Sequence, residues 1–205
     1  SWRGKLRPPV EDKDLRWDFC FRNPIPHTSA VFPLELARDI LGGYRDCKAC
    51  EDYDLWSRLL RHGKAFGSPK ALVSYRNHAS SIMGREHAVQ AESRNSALKD
   101  IMAKNLREWI GASEQEVSII VSAWLDNGDV DWEMYFKVTT RLTSGELNPS
   151  ADLLAEQDFT LLNRAVRGSS NRADEMLVAL KKICPQRYAA LPKFKVLLTR
   201  LLLRR

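Results

Sequence analysis

The sequence predicts an α/β region over residues 1–95 followed by an all-α region over residues 96–205. Two observations carry this expectation. Up to about residue 95, Pro, Gly and aromatic residues punctuate short segments, as in mixed α/β domains. Beyond it, apolar residues recur at helical spacing almost without interruption. The charge also changes sign along the chain: +4 over residues 1–95, −6 over 96–180 and +8 over the last 25 residues.

Taken in order, "HTSAVF" (27–32) reads as a strand. Pro33 then opens a helix, "PLELARDIL", which Gly42-Gly43 ends. Leu55, Trp56, Leu59 and Leu60 mark one face of a second helix, stopped by Gly63. "KALVSYRNH" (70–78) reads as another strand. In the second region, Ser113 and Glu116 form a capping box ahead of "VSIIVSAWL". The helices "ADLLAEQDFTLLNRAV" and "ADEMLVALKKI" follow, with Gly168 and Pro185 as breaks. Neither an internal repeat nor a low-complexity segment is visible.

Composition narrows the function classes. A chain of 205 residues, 44% hydrophobic and 28% charged, has the balance of a soluble globular protein able to bury a core. No apolar run approaches the roughly 20 residues of a spanning helix. No charged-then-apolar leader follows Ser1, so no export signal is expected. Cys20, Cys47, Cys50 and Cys184 do not make a disulfide framework in a chain this long, and a reducing cytoplasm is the expected location.

"CKACEDYDLWSRLLRHGKAF" (47–66) puts three acids into four positions where an apolar helix begins. The helix macrodipole favours acids in a first turn by about 0.3 to 1 kcal/mol, which accounts for their presence without any chemistry. The surrounding order of segments points further. "NPIPHTSAVFPLELARDILGGYR", a spacer, "EDYDLWSRLLRHGKAF" and "LVSYRNHASSI" together resemble the large inverting glycosyltransferase family numbered two, over about residues 19–83. The resemblance implies the acceptor-side half of a GT-A domain, with a strand bearing a His, a helix ending Gly-Gly-Tyr, the Glu-Asp helix start and a Tyr-Arg-x-His strand end.

The same resemblance implies a chemistry. Transfer of a sugar from a nucleotide-diphosphate donor to a hydroxyl acceptor needs a base for the hydroxyl proton, and that base maps onto Asp52. Glu51 would orient the acceptor or shape the site, and the helix start should keep Asp52 ionised. His78 would bind the divalent metal, Mn or Mg, or the phosphate. Arg76 is the alternative partner for phosphate oxygens. His27 either lines the acceptor side or is structural. Tyr53 and Trp56 read as packing residues. The acceptor would be a glycan or a lipid-linked sugar in cell-surface polysaccharide synthesis.

Several patterns do not fit. Asp52-x-Asp54 and Asp129-x-Asp131 both spell Asp-x-Asp, but that motif belongs on a loop well before the catalytic acid. Cys47-x-x-Cys50 has no second pair at zinc-ligand spacing. Adjacent acids cannot flank a glycosidic bond from opposite sides, which excludes a glycosidase. The matching region follows "SWRGKLRPPVEDKDLRWDF", without the nucleotide-binding half or its Asp-x-Asp. The sequence therefore predicts little sugar-nucleotide binding by these residues alone. It also leaves open a non-catalytic interaction module on a degenerate transferase half.

The tail, residues 193–205, is the last expectation. Phe194, Leu197, Leu198, Leu201 and Leu202 fall on one side of a helix, with Lys193, Arg200 and Arg204 on another. Such a helix either lies on an anionic membrane surface, peripheral to the inner face of the plasma membrane, or docks on the acidic helical region. Nucleic acid is not an expected partner, because no interleaved aromatics or motif accompany the charge.

Overall fold

The structure is a computed structural model that describes residues 8–47, 50–74, 88–126, 129–168 and 170–191. It separates into two compact units, Ser1–Asn105 and Leu106–Arg205. Every regular element among the described residues is helical, which corrects the predicted α/β class.

Unit 1 begins with α1 (Asp12–Phe19). Leu15, Trp17, Phe19 and Phe21 are buried in or just after it. Its polar side fastens the chain beyond the next helix: Asp12 Oδ1 accepts from the Ala65 N–H at 2.8 Å, and Arg16 Nη2 donates to the Gly63 carbonyl. The acid-rich segment forms α2 (Glu51–Leu60), as its periodicity predicts, and buries Tyr53, Leu55, Trp56 and Leu60. A polar network then joins α2 to α3 (Ala88–Ile110) inside unit 1. Asn105, fully buried, donates to the Phe19 carbonyl and to Ser57 Oγ, and accepts from Arg61. Tyr53 brings its hydroxyl to the same Phe19 carbonyl at 2.5 Å. Each of these buried polar groups has a partner, as burial demands.

Among the described residues neither predicted strand forms, for a definite reason. Residues 27–32 form a 3-10 turn, His27–Ser29, followed by extended chain. Residues 71–74 also lack regular structure. Extended backbone becomes a strand only when a neighbour completes its hydrogen-bond ladder, and none does so among the described residues. Val31 is accordingly 99% exposed, and Leu72 stands 74% exposed. The remainder of the second predicted strand, 75–78, lies outside the described residues.

The helix expected after Pro33 is short and wide, a π turn over Leu36–Ile40. It ends where Gly43 N–H reaches back six residues to the Ala37 carbonyl at 2.7 Å, one residue farther than the 6→1 bond of a Schellman end. Gly42 and Gly43 both take φ of +71°, and a Cβ on either would meet no atom within 4 Å. The cost of a side chain there is conformational alone. Gly43→Ala is expected to destabilise unit 1 by about 1 kcal/mol, measured by urea unfolding. An unchanged midpoint would mean that the turn relaxes.

Unit 2 contains α4 (Glu114–Leu125), α5 (Trp132–Thr143), α6 (Ala151–Gly168), α7 (Ser170–Ile183) and α8 (Pro185–Ala190). The capping box at the start of α4 forms as the sequence predicts, with Ser113 and Glu116 satisfying each other's backbone N–H. Helix α7 packs on α5, α6 and α8. Trp124, Tyr135, Phe136, Leu161 and Leu180 fill the core, with Trp124 Nε1 donating to the Tyr135 hydroxyl. Asp131 of the Asp129-x-Asp131 pattern caps α5, accepting from the Met134 N–H at 2.9 Å. No described helix is long and apolar enough to cross a membrane. The tail, 193–205, lies outside the described residues.

Candidate functional site

The site is built around the first turn of α2. A helix start leaves its first N–H groups without intrahelical acceptors, and here Asp52 Oδ1 accepts from the Tyr53 N–H at 2.7 Å. Glu51 and Asp52 are both half-buried. The segment just before them also differs from expectation: Cys47 and Cys50 are joined in a disulfide. Their turn, closed by Cys50 N–H to the Cys47 carbonyl, brings the two Cα atoms to 5.5 Å, within bridging range. Cys20 and Cys184 are buried free thiols.

Burial pushes the Asp52 carboxyl above the usual aspartate range, and the neighbouring Glu51 charge adds to this. The Tyr53 N–H and His27 pull the other way. The balance is upward, whereas the sequence predicts a helix start that simply holds Asp52 ionised. Desolvation outweighs the backbone hydrogen bonds and His27. The result is a carboxylate with greater proton affinity than a surface aspartate.

Two segments remote in sequence deliver an aromatic cluster to this carboxylate. His27, from the 3-10 turn, and Tyr44, after the double-glycine turn, share a hydrogen bond of 2.9 Å between Nε2 and the hydroxyl. Both face Trp56, one turn along α2 from Asp52, with ring centroids at 5.9 Å and 6.4 Å. Phe32 closes on the same indole at 4.9 Å. Trp56 is 4% exposed, and its Nε1 has no hydrogen-bond partner among the described residues. Burial and the Asp52 and Glu51 charges raise the Tyr44 hydroxyl above its ordinary range.

The structure thus brings Glu51, Asp52 and His27 of the sequence candidates together. Arg76 and His78 lie outside the described residues. Tyr53 and Trp56 are buried, as packing residues should be, yet Trp56 also carries the ring contacts of the site. Sequence reasoning missed Tyr44 and Phe32 as members. The only available signal for Tyr44 was the Gly-Gly-Tyr run, which marked a helix end and assigned no role to the ring. Among the described residues no group of three or more His, Cys, Asp or Glu side chains converges as a metal ion requires.

A groove of ≈140 Å³ lies on another side of α2, lined by Arg45, Arg58, Arg61 and Lys104 together with Asp54 and Asp100. Asp52 does not line it, and its best-buried cation, Arg58, is already engaged by Asp54.

No family model matches the chain. No solved structure matches it. Over 118 residues, 57% of the chain, the sequence is 26% identical to an uncharacterized glycosyltransferase of Haemophilus influenzae. The chain covers 35% of that protein's own length. The similarity supports a glycosyltransferase relationship.

Proposed function

We propose that these residues carry the acceptor-activating site of an inverting glycosyltransferase of the family-two type, with Asp52 as its general base. The observation that supports this best is the half-buried Asp52 carboxylate at a helix start, raised in proton affinity and set beside the His27–Tyr44–Trp56 cluster. A carboxylate of raised proton affinity removes a hydroxyl proton more effectively than an ordinary one.

In the proposed step, the acceptor hydroxyl oxygen attacks the anomeric carbon as the bond to the diphosphate oxygen breaks. The hydroxyl proton passes to Asp52. Its Oδ1 is engaged by the Tyr53 N–H, so Oδ2 is the atom proposed to receive the proton. Attack opposite the leaving nucleotide diphosphate inverts the anomeric centre. Glu51 and the exposed rings of His27 and Tyr44 orient the acceptor sugar. The divalent ion, Mn or Mg, belongs to the proposal as a companion of the donor diphosphate. Polysaccharide assembly, a lipid-linked or glycan acceptor, and a cytoplasmic or inner-face location through residues 193–205 complete the reading.

The test is transfer by the full polypeptide that contains residues 1–205. Nucleotide diphosphate release from sugar nucleotides should require a hydroxyl acceptor, and NMR of the product should show an inverted anomeric centre. A product that keeps the donor's configuration would overturn the reading. The exposed apolar side chains Val31, Leu34, Ile40 and Leu72 favour the second reading, a non-catalytic interaction module. Absence of acceptor-dependent release with every sugar nucleotide tried would select it.

A further inference from the structure

We propose that Arg58 is a positioning residue for the candidate site, acting through the double-glycine turn to hold Tyr44 beside Asp52. The inference deepens the transferase reading and rests on it only for the effect on rate.

The geometry is that of a clamp. Arg58 lies on α2, 6% exposed, among residues that a charged side chain rarely enters unpaired. Its Nε donates to Asp54 Oδ2 at 2.8 Å, one turn earlier on the same helix. Its Nη1 donates to the Leu41 carbonyl at 2.8 Å, and its Nη2 to the Gly43 carbonyl at 2.7 Å. The two carbonyls flank Gly42, in the turn where positive φ at both glycines reverses the chain. Tyr44 is the next residue, and it reaches His27 and Trp56.

Rotation along the helix separates Arg58 from the chemistry. Six residues at about 100° each place it some 240° around α2 from Asp52. It therefore acts through the turn that carries Tyr44. The planar guanidinium is suited to this, because its fixed fork serves a carboxylate and two carbonyls at once. An ammonium is a single point charge and cannot hold all three in one plane. Asp54 keeps the fork oriented, so the pair Asp54–Arg58 ties the helix bearing the carboxylate to the loop bearing the ring.

The test follows the Asp52 carboxyl by ¹³C NMR across pH, in residues 1–205, for wild type, Arg58→Met, Tyr44→Ala and the double variant. Glu51 and His27 are the titratable groups that bear on the Asp52 carboxyl, and Asp52 and Glu51 in turn bear on the Tyr44 hydroxyl. Release of Tyr44 admits water, so both single variants should move the Asp52 titration down toward about 3.9, the value of a free aspartate. If Arg58 acts through Tyr44, the double variant should move it no further than either single one. Arg58→Lys, which retains charge without the fork, should resemble Arg58→Met. Asp54→Asn, which retains an oxygen acceptor, should shift it in the same direction by less, and it serves if Arg58→Met does not fold. A folded Arg58→Met protein with the wild-type Asp52 titration, or an additive double variant, would overturn the proposal. The titration needs no turnover, so the clamp stands if Arg58→Met moves Asp52 in a protein that shows no transfer. In an active polypeptide, Arg58→Met should lower kcat by roughly ten- to a hundredfold, as loss of positioning does, with a smaller change in KM.

Discussion

Asp52→Asn is expected to reduce sugar transfer by about 10² to 10⁴, the usual range for loss of a general base, while the protein stays folded. Asparagine keeps the shape of aspartate and an oxygen for the Tyr53 N–H, but it cannot accept the acceptor's proton. A variant with near-normal turnover would remove Asp52 from the mechanism. Stability gives an independent check with a definite sign. Folding raises the Asp52 pKa through burial and the Glu51 charge. Between the unfolded and folded values, the native state therefore holds more protons than the unfolded one. The contribution of Asp52 to stability must fall as pH rises through that window and stay low above it. At neutral pH the wild type carries this penalty and the asparagine variant does not. Asp52→Asn should thus be at least as stable as wild type at pH 7. Its advantage should vanish near pH 3, where the wild-type carboxyl is protonated in both states. Thermal melts over that pH range decide the point, and a variant destabilised at pH 7 relative to pH 3 would contradict it.

The largest stability effect is expected in unit 2, at Arg187. Its Nε and Nη2 hold both oxygens of Asp158, at 2.9 Å and 2.5 Å, and the Asp158 side chain has no exposure. A third bond runs from Arg187 Nη1 to Thr139 Oγ1 at 3.1 Å, and the guanidinium sits 5.5 Å from the Phe136 ring centroid. Arg187→Met leaves Asp158 buried without its counter-charge. Breaking such a pair from one side costs about 3 to 5 kcal/mol. For a unit of this size that lowers Tm by roughly 12 to 40 °C. Burial already pushes the Asp158 carboxyl upward while Arg187 opposes it, so removing Arg187 drives it higher still. The variant's stability should consequently fall as pH rises above the ordinary aspartate range, and the gap from wild type should be smallest near pH 3. Asp158→Leu combined with Arg187→Met should recover part of the loss, since apolar packing can replace a buried pair. A single variant that melts with wild type would show that water reaches Asp158.

The second-unit pair illustrates what sequence reading cannot see. Asp158 and Arg187 are separated by 29 positions and belong to helices whose packing brings them together. Arg58 is hidden in another way. An Asp54–Arg58 spacing of four looks like an ordinary helix-surface pair, worth a few tenths of a kcal/mol. Its bonds to Leu41 and Gly43 exist only once the loop has folded against α2. Tyr44 and Phe32 escaped notice as site members for the same reason, because their contacts with Trp56 are long-range. Four cysteines at these spacings give no framework, and Cys47–Cys50 is a local bridge between residues three apart.

The sequence by itself determined the elements whose information is local. The apolar face and acidic first turn of α2, and the Ser113–Glu116 capping box of α4, are helix signals within a few residues, and both elements form. The double glycine likewise announces a reversal, since left-handed backbone strongly favours residues without a Cβ. Asp52 and His27 became candidates through the resemblance of their segments, in order, to the glycosyltransferase family. Tertiary structure decided the strands, the proton affinity and the clamp. A strand requires a neighbour to complete its ladder, and residues 27–32 have none among those described. A shifted pKa requires burial and nearby charge, which the first turn of a helix does not specify alone. Arg58 becomes a positioning group only when two carbonyls fold within reach of a fork that helix α2 holds in place.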